Sequence, residues 1–101
     1  MKTFSKNPEG WFCGHWNGSN IQIKHSEGRP LREESEHAHE FAEYYLLLKG
    51  SLIVEINKEL FALKVMELLM VESGEAHRIS AKSDDAEYLI IKEKSFPGNK
   101  I

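Results

Sequence analysis

Four side chains in this sequence have the types and spacing of ligands for a divalent transition metal. His37 and His39 are separated by one residue, and two such positions of a strand face the same side. Glu43 has the same parity, and a short bend at Phe41-Ala42 would bring its carboxylate to the same point. His77 comes from a separate strand and could complete the set. Three neutral imidazoles and one carboxylate suit a transition metal, whereas calcium or magnesium would need more oxygen ligands.

The elements that must position these side chains are strands. Short segments between frequent turn signals predict an all-β sandwich or barrel. Alternating or continuous apolar patterns mark its segments, which cover residues 11–16, 21–25, 42–48, 52–56, 60–63, 68–71, 76–81 and 87–92. Residues 58–70 also contain good helix formers, but their apolar positions fit neither the helical nor the strand periodicity. The strand-like segments on either side favour strands there.

Two patterns in the chain resemble the two motifs of the cupin superfamily and indicate a small, single-domain monocupin. The second part of the first motif is matched position for position by His37-x-His39-x3-Glu43-x6-Gly50. The core of the second motif is matched by Gly74-x2-His77. The resemblance runs from about residue 32 to residue 91. It implies one all-β domain over residues 1–101, a cupin-like β-barrel of the double-stranded β-helix or jelly-roll type with a metal in its interior.

Four positions depart from the cupin pattern. Leu31 and Met66 stand where glycine is usual, Glu72 stands where proline is usual, and Ala81 stands where asparagine is usual. The usual Pro-Gly-Asp turn is replaced by Val65-Met66-Glu67. None of these positions is a metal ligand, so they bear on turn geometry and pocket shape rather than on the ion.

The ligand set supports three hypotheses on function. The first is a metal-dependent enzyme, a dioxygenase or a sugar or enediol isomerase, that acts on a small chelating molecule. Its catalytic residues would be Glu43, as ligand and proton acceptor, and Tyr45, whose hydroxyl faces the same cavity. The second is a non-catalytic module that binds or senses a small ligand, and the third is a metal-free structural barrel. The ion would be one of iron, manganese, nickel, zinc, copper or cobalt.

Three further residues have open roles. His25 shares its parity with Ile21 and Ile23, so it either points into the same cavity or is a hydrogen-bonded core residue. His15 is ambiguous, and Cys13 is expected to be a small buried packing residue.

The outward-facing side of the central strand predicts a partner. Tyr44, Leu46 and Leu48 are more apolar than a solvated barrel exterior should be, so a second sheet or a dimer partner should cover them. A 101-residue chain buries about 65% of its unfolded surface, and a homodimer would add stability.

Charge and composition exclude other partners. The chain has 13 Lys and Arg against 16 Asp and Glu, which gives a formal net charge of −3 at pH 7. Nucleic-acid-binding domains show a clustered basic excess, so no nucleic-acid partner is expected. No apolar run is long enough to span a membrane, and residues 1–10 lack the apolar core of a signal peptide. The single cysteine cannot form an internal disulfide, which favours a reducing cytoplasm.

Overall fold

The computed structural model describes residues 1–27 and 36–97, and these residues form an all-β architecture. A 3-10 helix at His15–Asn17 follows the first strand. The described strands are β1 (Trp11–Cys13), β2 (Gln22–Glu27), β3 (Glu43–Lys49), β4 (Leu52–Ile56), β5 (Glu59–Leu63), β6 (Leu68–Val71), β7 (His77–Lys82) and β8 (Glu87–Lys92). The prediction of an all-β fold is confirmed.

The strands form two antiparallel sheets that pack face to face. The larger sheet has the order β1-β2-β8-β3-β6, and the smaller sheet has the order β5-β4-β7. Strands that are distant in the chain are therefore neighbours in space, and β3 pairs with both β6 and β8. This arrangement brings the beginnings of β3 and β7 to the same end of the molecule as the end of β8.

Turn residues with left-handed backbone conformation set the connections between the strands. Asn57 and Lys58, with φ values of 48° and 69°, form the tight turn between β4 and β5. Met66 adopts a φ of 69° in the turn between β5 and β6, where the cupin pattern has glycine. The chain therefore makes two strands and a turn across residues 58–70, and the helical alternative is wrong. Leu31, the other departure at a glycine position, lies outside the described residues.

Gly50 occupies the turn between β3 and β4, and its backbone requires glycine for two reasons. Its φ is 79°, a conformation that residues with a side chain adopt at a cost. A Cβ at this position would also strike the Ser83 hydroxyl and lie 2.8 Å from the Asp85 carboxylate. The glycine of the first motif therefore serves strand packing rather than ligand binding.

The core fills the space between the two sheets. Tyr45 and Leu47 of β3 point inward, and their backbones pair with Ile90 and Tyr88 of β8. The smaller sheet contributes an opposite apolar layer. The buried cluster consists of Tyr45, Leu47, Leu52, Val54, Ile56, Leu63, Val71, Ile79, Ala86, Tyr88 and Ile90.

The inward face of β2 differs from the prediction. Gln22 and Ser26 are buried, whereas Ile21 is 41% exposed and His25 is only half-buried. The expectation that Ile21, Ile23 and His25 share the inner face is therefore wrong. Gln22 pairs in register with the buried Lys92 of β8, and Ser26 pairs with Tyr88 of the buried cluster.

The outer face of the larger sheet is apolar and is not covered by the second sheet. Tyr44 and Leu46 are half-buried, and they pair with Met70 and Leu68 of β6. Leu68 and Met70 are 55% and 48% exposed. The prediction that these β3 residues face away from the cavity is confirmed. Within the described residues, no helix has the length and apolar character needed to cross a lipid bilayer.

Candidate metal centre

Three sequence segments bring the predicted ligands together at one end of the two-sheet structure. Glu43 is the first residue of β3 and His77 is the first residue of β7. The segment that precedes β3 carries His37 and His39 and bends at Glu40 and Phe41 before the strand begins. The predicted bend is therefore present one residue earlier than expected, and the strand itself does not extend back to the two histidines.

Backbone hydrogen bonds hold the segment of His37 and His39 against β7. His37 and His77 form an isolated antiparallel bridge, in which the His37 amide donates to the His77 carbonyl at 3.0 Å and the His77 amide donates back at 2.7 Å. The Gly74 amide donates to the His39 carbonyl at 2.9 Å. The two cupin-like motifs are thus joined through their own backbones, which fixes the distance between their side chains.

The four predicted ligands converge on one region. A nitrogen or oxygen atom from each of them lies within 4.8 Å of the others, in the set His37, His39, Glu43 and His77. Two ligand atoms on opposite sides of one ion are about 4.2 Å apart, because each metal–ligand bond is about 2.1 Å long. The observed spacing is close to that span, so a single ion needs only small side-chain movements to reach all four.

One hydrogen bond fixes the state of the His77 ring. Its Nδ1 lies 2.9 Å from the Glu75 carbonyl oxygen, which can only accept, so Nδ1 carries the proton of the neutral ring. This assigns an unprotonated Nε2, which lies 3.5 Å from Glu43 Oε2. In this neutral tautomer, Nε2 offers a lone pair to a cation held between the ring and the carboxylate.

Other buried polar atoms at this end of the two-sheet structure are also placed to bind a cation. The Nε2 of His39 and Oε2 of Glu43 lie 3.0 Å apart. This nitrogen and both carboxylate oxygens of Glu43 are buried, and the described part of the chain offers them no hydrogen bond of acceptable geometry. Buried polar atoms are normally satisfied, and a cation satisfies several acceptors that face one another. The donor set therefore fits a divalent transition metal on the grounds of this structure alone.

The local electrostatics keep both kinds of ligand in the form that binds metals. Burial lowers the pKa of His39, and the nearby Glu43 carboxylate opposes this effect only in part. Burial by itself would raise the pKa of Glu43, but contacts with His77, Lys92 and Tyr45 leave it below its ordinary value. A neutral imidazole and an ionised carboxylate are the forms that coordinate a metal.

The structure adds a buried lysine that the sequence interpretation missed. Lys92, the last residue of β8, is 3% exposed, and its Nζ lies 4.0 Å from Glu43 Oε2. Burial lowers the pKa of Lys92 below its ordinary value, and the Glu43 carboxylate opposes this effect only in part. The sequence carries the signal, because Lys92 shares its parity with Tyr88 and Ile90 on the inner face of β8.

A small cavity opens beside the cluster. Its volume is about 30 Å³, enough for one or two waters or the head group of a ligand. His39 and Glu43 line it on the side of the cluster, together with Lys92. Phe41 and Phe96 lie at its other side, with ring centroids 6.1 Å apart.

The remaining candidate residues take different places. Tyr45 is buried and contacts Glu43, with its ring centroid 6.4 Å from that of His77. His25 lies on the outer face, where its Nδ1 is 3.1 Å from Lys6 Nζ and its Nε2 is 3.2 Å from Glu87. His15 lies in the 3-10 helix, with its Nδ1 2.9 Å from the Ser95 hydroxyl.

Cys13 is buried, as expected, and its Sγ lies 3.8 Å from the Ile21 carbonyl oxygen. A second group of metal-binding residue types, His25, Glu27 and Glu87, lies apart from the first. The Lys6 ammonium contacts both His25 and Glu27 of this group and supplies it with a positive charge.

Comparison with known sequences supports the same region of the chain. The family model described as the cupin domain matches residues 27–92. The tetracenomycin polyketide synthase protein TcmJ of Streptomyces glaucescens is 39% identical over 63 residues. The matched region covers 61% of this chain and 42% of that protein, so the present chain corresponds to less than half of the relative's length.

Solved structures share the fold. An RmlC-like cupin protein of Methanocaldococcus jannaschii, with a double-stranded β-helix fold, gives a TM-score of 0.72 at 15% identity over 93% of this chain and 91% of that one. The oxalate decarboxylase of Bacillus subtilis, which has Mn(II) centres, gives a TM-score of 0.67 at 21% identity over 93% of this chain and 28% of that one. The cupin model covers more than half of the chain and the two-sheet architecture agrees with it, and the chain therefore belongs to the cupin family.

Proposed function

We propose that this cupin domain binds one divalent transition metal ion through His37, His39, Glu43 and His77. The observation that carries the proposal is the convergence of four ligand atoms within 4.8 Å at a buried end of the fold. In a neutral His77 ring with its proton on Nδ1, the Nε2 lone pair is available to the ion on the side of Glu43. Iron, manganese, nickel, zinc, copper and cobalt all accept such a ligand set.

We infer an enzymatic use of the ion, with a small chelating organic molecule as substrate. The ion, when bound, supplies a Lewis acid that polarises an oxygen of the substrate. Glu43 has two buried carboxylate oxygens, so one can ligate while the other accepts a proton from the substrate. Tyr45 touches this carboxylate and orients it. The relatives named for polyketide synthesis and for oxalate decarboxylation are consistent with small organic ligands.

A non-catalytic binding or sensing module is the second candidate. The cavity beside the cluster holds only a small group, which suits the capture of a ligand head as well as its conversion. The two candidates share the metal and differ in whether the bound molecule leaves unchanged. A screen of metal-reconstituted protein against enediols, flavonoid-like diols, thiol acids and sugar phosphates separates them. Turnover supports the enzyme, and a ligand recovered unaltered supports the binding module.

We also propose that the chain folds as one domain over residues 1–101 and forms a homodimer. The apolar outer face of the larger sheet supports the dimer, because Leu68 and Met70 expose about half of their surface beside the half-buried Tyr44 and Leu46. Contiguous exposed apolar surface of this kind is typical of protein interfaces.

Metal analysis of variants tests the ligand assignment. Protein purified without an affinity tag and reconstituted with Zn²⁺ should hold one ion per chain by elemental analysis. His39→Gln should lose most of this metal, because it removes one of four ligands. His25→Ala is the matched control, since His25 belongs to the outer group, and it should keep the metal. Loss in the His25 variant with retention in the His39 variant would assign the ion to the outer group and end the proposal.

A further inference from the structure

The turn between β6 and β7 contacts both histidine-bearing segments of the candidate metal centre. It runs from Glu72 to Glu75, and the Glu75 amide donates to the Glu72 carbonyl at 3.1 Å. Gly74 has a φ of 82° in this turn, a conformation that favours glycine. Its amide donates to the His39 carbonyl at 2.9 Å, and the Glu75 carbonyl oxygen lies 2.9 Å from His77 Nδ1. One short turn therefore holds a candidate ligand from each motif.

The Glu75 carboxylate closes this turn and joins it to a second one. Its Oε1 accepts a hydrogen bond from the Glu72 amide at 2.8 Å. Its Oε2 accepts from Asn57 Nδ2, in the turn between β4 and β5, at 3.2 Å. The Asn57 amide also donates to the Ala76 carbonyl at 2.8 Å. Both carboxylate oxygens therefore help to fix the backbone that carries the Glu75 carbonyl oxygen.

The hydrogen bond from the Glu72 amide depends on a departure from the cupin pattern. Glu72 stands where proline is usual, and proline has no amide hydrogen to donate. A proline would also fix φ at this point of the backbone, a restriction that glutamate does not impose. The Glu75 carboxylate supplies a constraint of another kind, because it accepts a hydrogen that only a residue other than proline offers.

The orientation and tautomer of the His77 ring decide whether its Nε2 can bind an ion. The ring is buried, and Nε2 lies 3.5 Å from Glu43 Oε2. Imidazoles that bind metals usually donate their other N–H to a carbonyl or carboxylate oxygen, which fixes the tautomer and the direction of the ring. Here that oxygen is the Glu75 carbonyl. If it moved away, the ring could place its hydrogen on Nε2, and this form of Nε2 has no lone pair for a metal.

We propose that Glu75 is a positioning residue of the metal centre. Its carboxylate holds the turn between β6 and β7 in the conformation that directs the Glu75 carbonyl oxygen at His77 and the Gly74 amide at His39. It acts through these backbone groups rather than as a ligand. This inference rests on the proposed metal-binding function. A role in stability alone would lower the free energy of unfolding and leave the His77 tautomer and the metal affinity of the folded protein unchanged.

Variants of the two glutamates in this turn test the inference. Glu75→Ala removes both hydrogen bonds of the carboxylate. Glu75→Gln removes the charge but keeps an oxygen for the Glu72 amide, and its NH₂ group can donate to the Asn57 side-chain oxygen once that amide flips. Glu72→Gln is the matched control, because it removes a negative charge from the same turn, at an exposed side chain, and keeps the backbone amide.

Two measurements are made on each variant. Nitrogen-15 NMR of the histidine rings in metal-free protein reports the tautomer of His77. Competition for Zn²⁺ with a chelator of known affinity reports metal binding. Circular dichroism confirms that each variant is folded.

We expect Glu75→Ala to weaken Zn²⁺ binding about tenfold, the lower end of the range for groups that orient a metal ligand. Its His77 ring should show a mixture of tautomers in place of the Nδ1–H form. Glu75→Gln should stay within about threefold of the wild type, because a neutral amide makes weaker hydrogen bonds than a carboxylate but retains them. Glu72→Gln should match the wild type in both measurements.

The proposed function and the role of Glu75 fail in different ways. A wild-type protein that takes up no Zn²⁺ overturns the proposed function, and the inference falls with it. A protein that binds Zn²⁺ overturns only the role of Glu75 if Glu75→Ala leaves the affinity and the tautomer unchanged. Equal losses in Glu75→Ala and Glu75→Gln also overturn it, because they assign the effect to charge.

A further variant decides the outcome if Glu75→Ala does not fold. Asn57→Gly removes one donor to the Glu75 carboxylate, and glycine adopts the φ of 48° at this position without strain. It should weaken Zn²⁺ binding more than Glu72→Gln does. An affinity equal to that of the Glu72 control would overturn the inference.

Discussion

Glu43 and Lys92 form a buried ion pair, and the effect of its removal on the free energy of unfolding of the metal-free protein can be worked out from the structure. The two charges lie 4.0 Å apart, with side-chain exposures of 1% and 4%. We consider the variants Glu43→Gln and Lys92→Met, each alone and then together. Each single variant leaves one charge buried without its partner, whereas the double variant leaves none.

The size of the effect follows from Coulomb's law and from desolvation. At 4.0 Å and an effective dielectric constant of about 20, the attraction is about 4 kcal/mol, most of which the cost of burying both charges offsets. Glu43→Gln should lower the free energy of unfolding by about 3 kcal/mol, because breaking a buried pair isolates the ammonium. Lys92→Met should cost about 2 kcal/mol, since His77 and Tyr45 still contact the carboxylate. The double variant should cost about 2 kcal/mol.

Urea denaturation in the presence of a chelator measures all four proteins. The expected coupling between the two positions is about 3 kcal/mol, at the upper end for residues in contact. Ser83→Ala, in the turn between β7 and β8 at the opposite end of the fold from Lys92, combined with Lys92→Met provides a pair that should be additive. A coupling below about 0.5 kcal/mol between Glu43 and Lys92 would show that the two charges do not interact in solution and would refute this reasoning.

Three further outcomes are expected. The metal-free protein should lose stability as the pH falls, first below about 6.5 and then below about 4.5. The reason is that the pKa values of His39 and Glu43 are lower in the folded state, so the unfolded chain takes up protons first. Thermal unfolding in chelator should show a melting temperature that rises from pH 4 to pH 7, and a flat profile contradicts this prediction. Lys58→Gly should raise the free energy of unfolding by about 1 kcal/mol, since Lys58 has a φ of 69° in a tight turn, and a loss in urea denaturation contradicts it. Met70→Glu, on the apolar outer face, should convert a dimer to a monomer in sedimentation equilibrium, and an unchanged mass argues against that interface.

Much of the fold could be predicted from the sequence because its strands are short, patterned and bounded by turn residues. The observed bounds of β4, β6 and β8 agree with the predicted ranges. The convergence of the four candidate ligands was predictable because their spacing, one residue between His37 and His39, is unusual by chance and repeats a family motif. The structure brings these side chains together at one end of the fold.

The features that could not be predicted from the sequence have physical causes. The face of β2 was predicted wrongly because alternation gives two faces but not which one is inside, and here polar Gln22 and Ser26 lie inward. Lys92 was missed because a charged residue at the end of a strand is normally solvent-exposed. The 3-10 helix at His15–Asn17 depends on contacts such as the bond of the His15 amide to Ser95, 80 residues away, which no local pattern contains.

Direct spectroscopy of a metal-loaded sample tests the central claim most closely. Protein loaded with one equivalent of Cu²⁺ should give an electron paramagnetic resonance and pulsed electron–nuclear spectrum in which imidazole nitrogens couple to the ion. Glu43→Gln should alter the coordination, and His39→Gln should remove one imidazole coupling. A spectrum with no imidazole coupling, or one that only His25→Ala changes, would contradict the account.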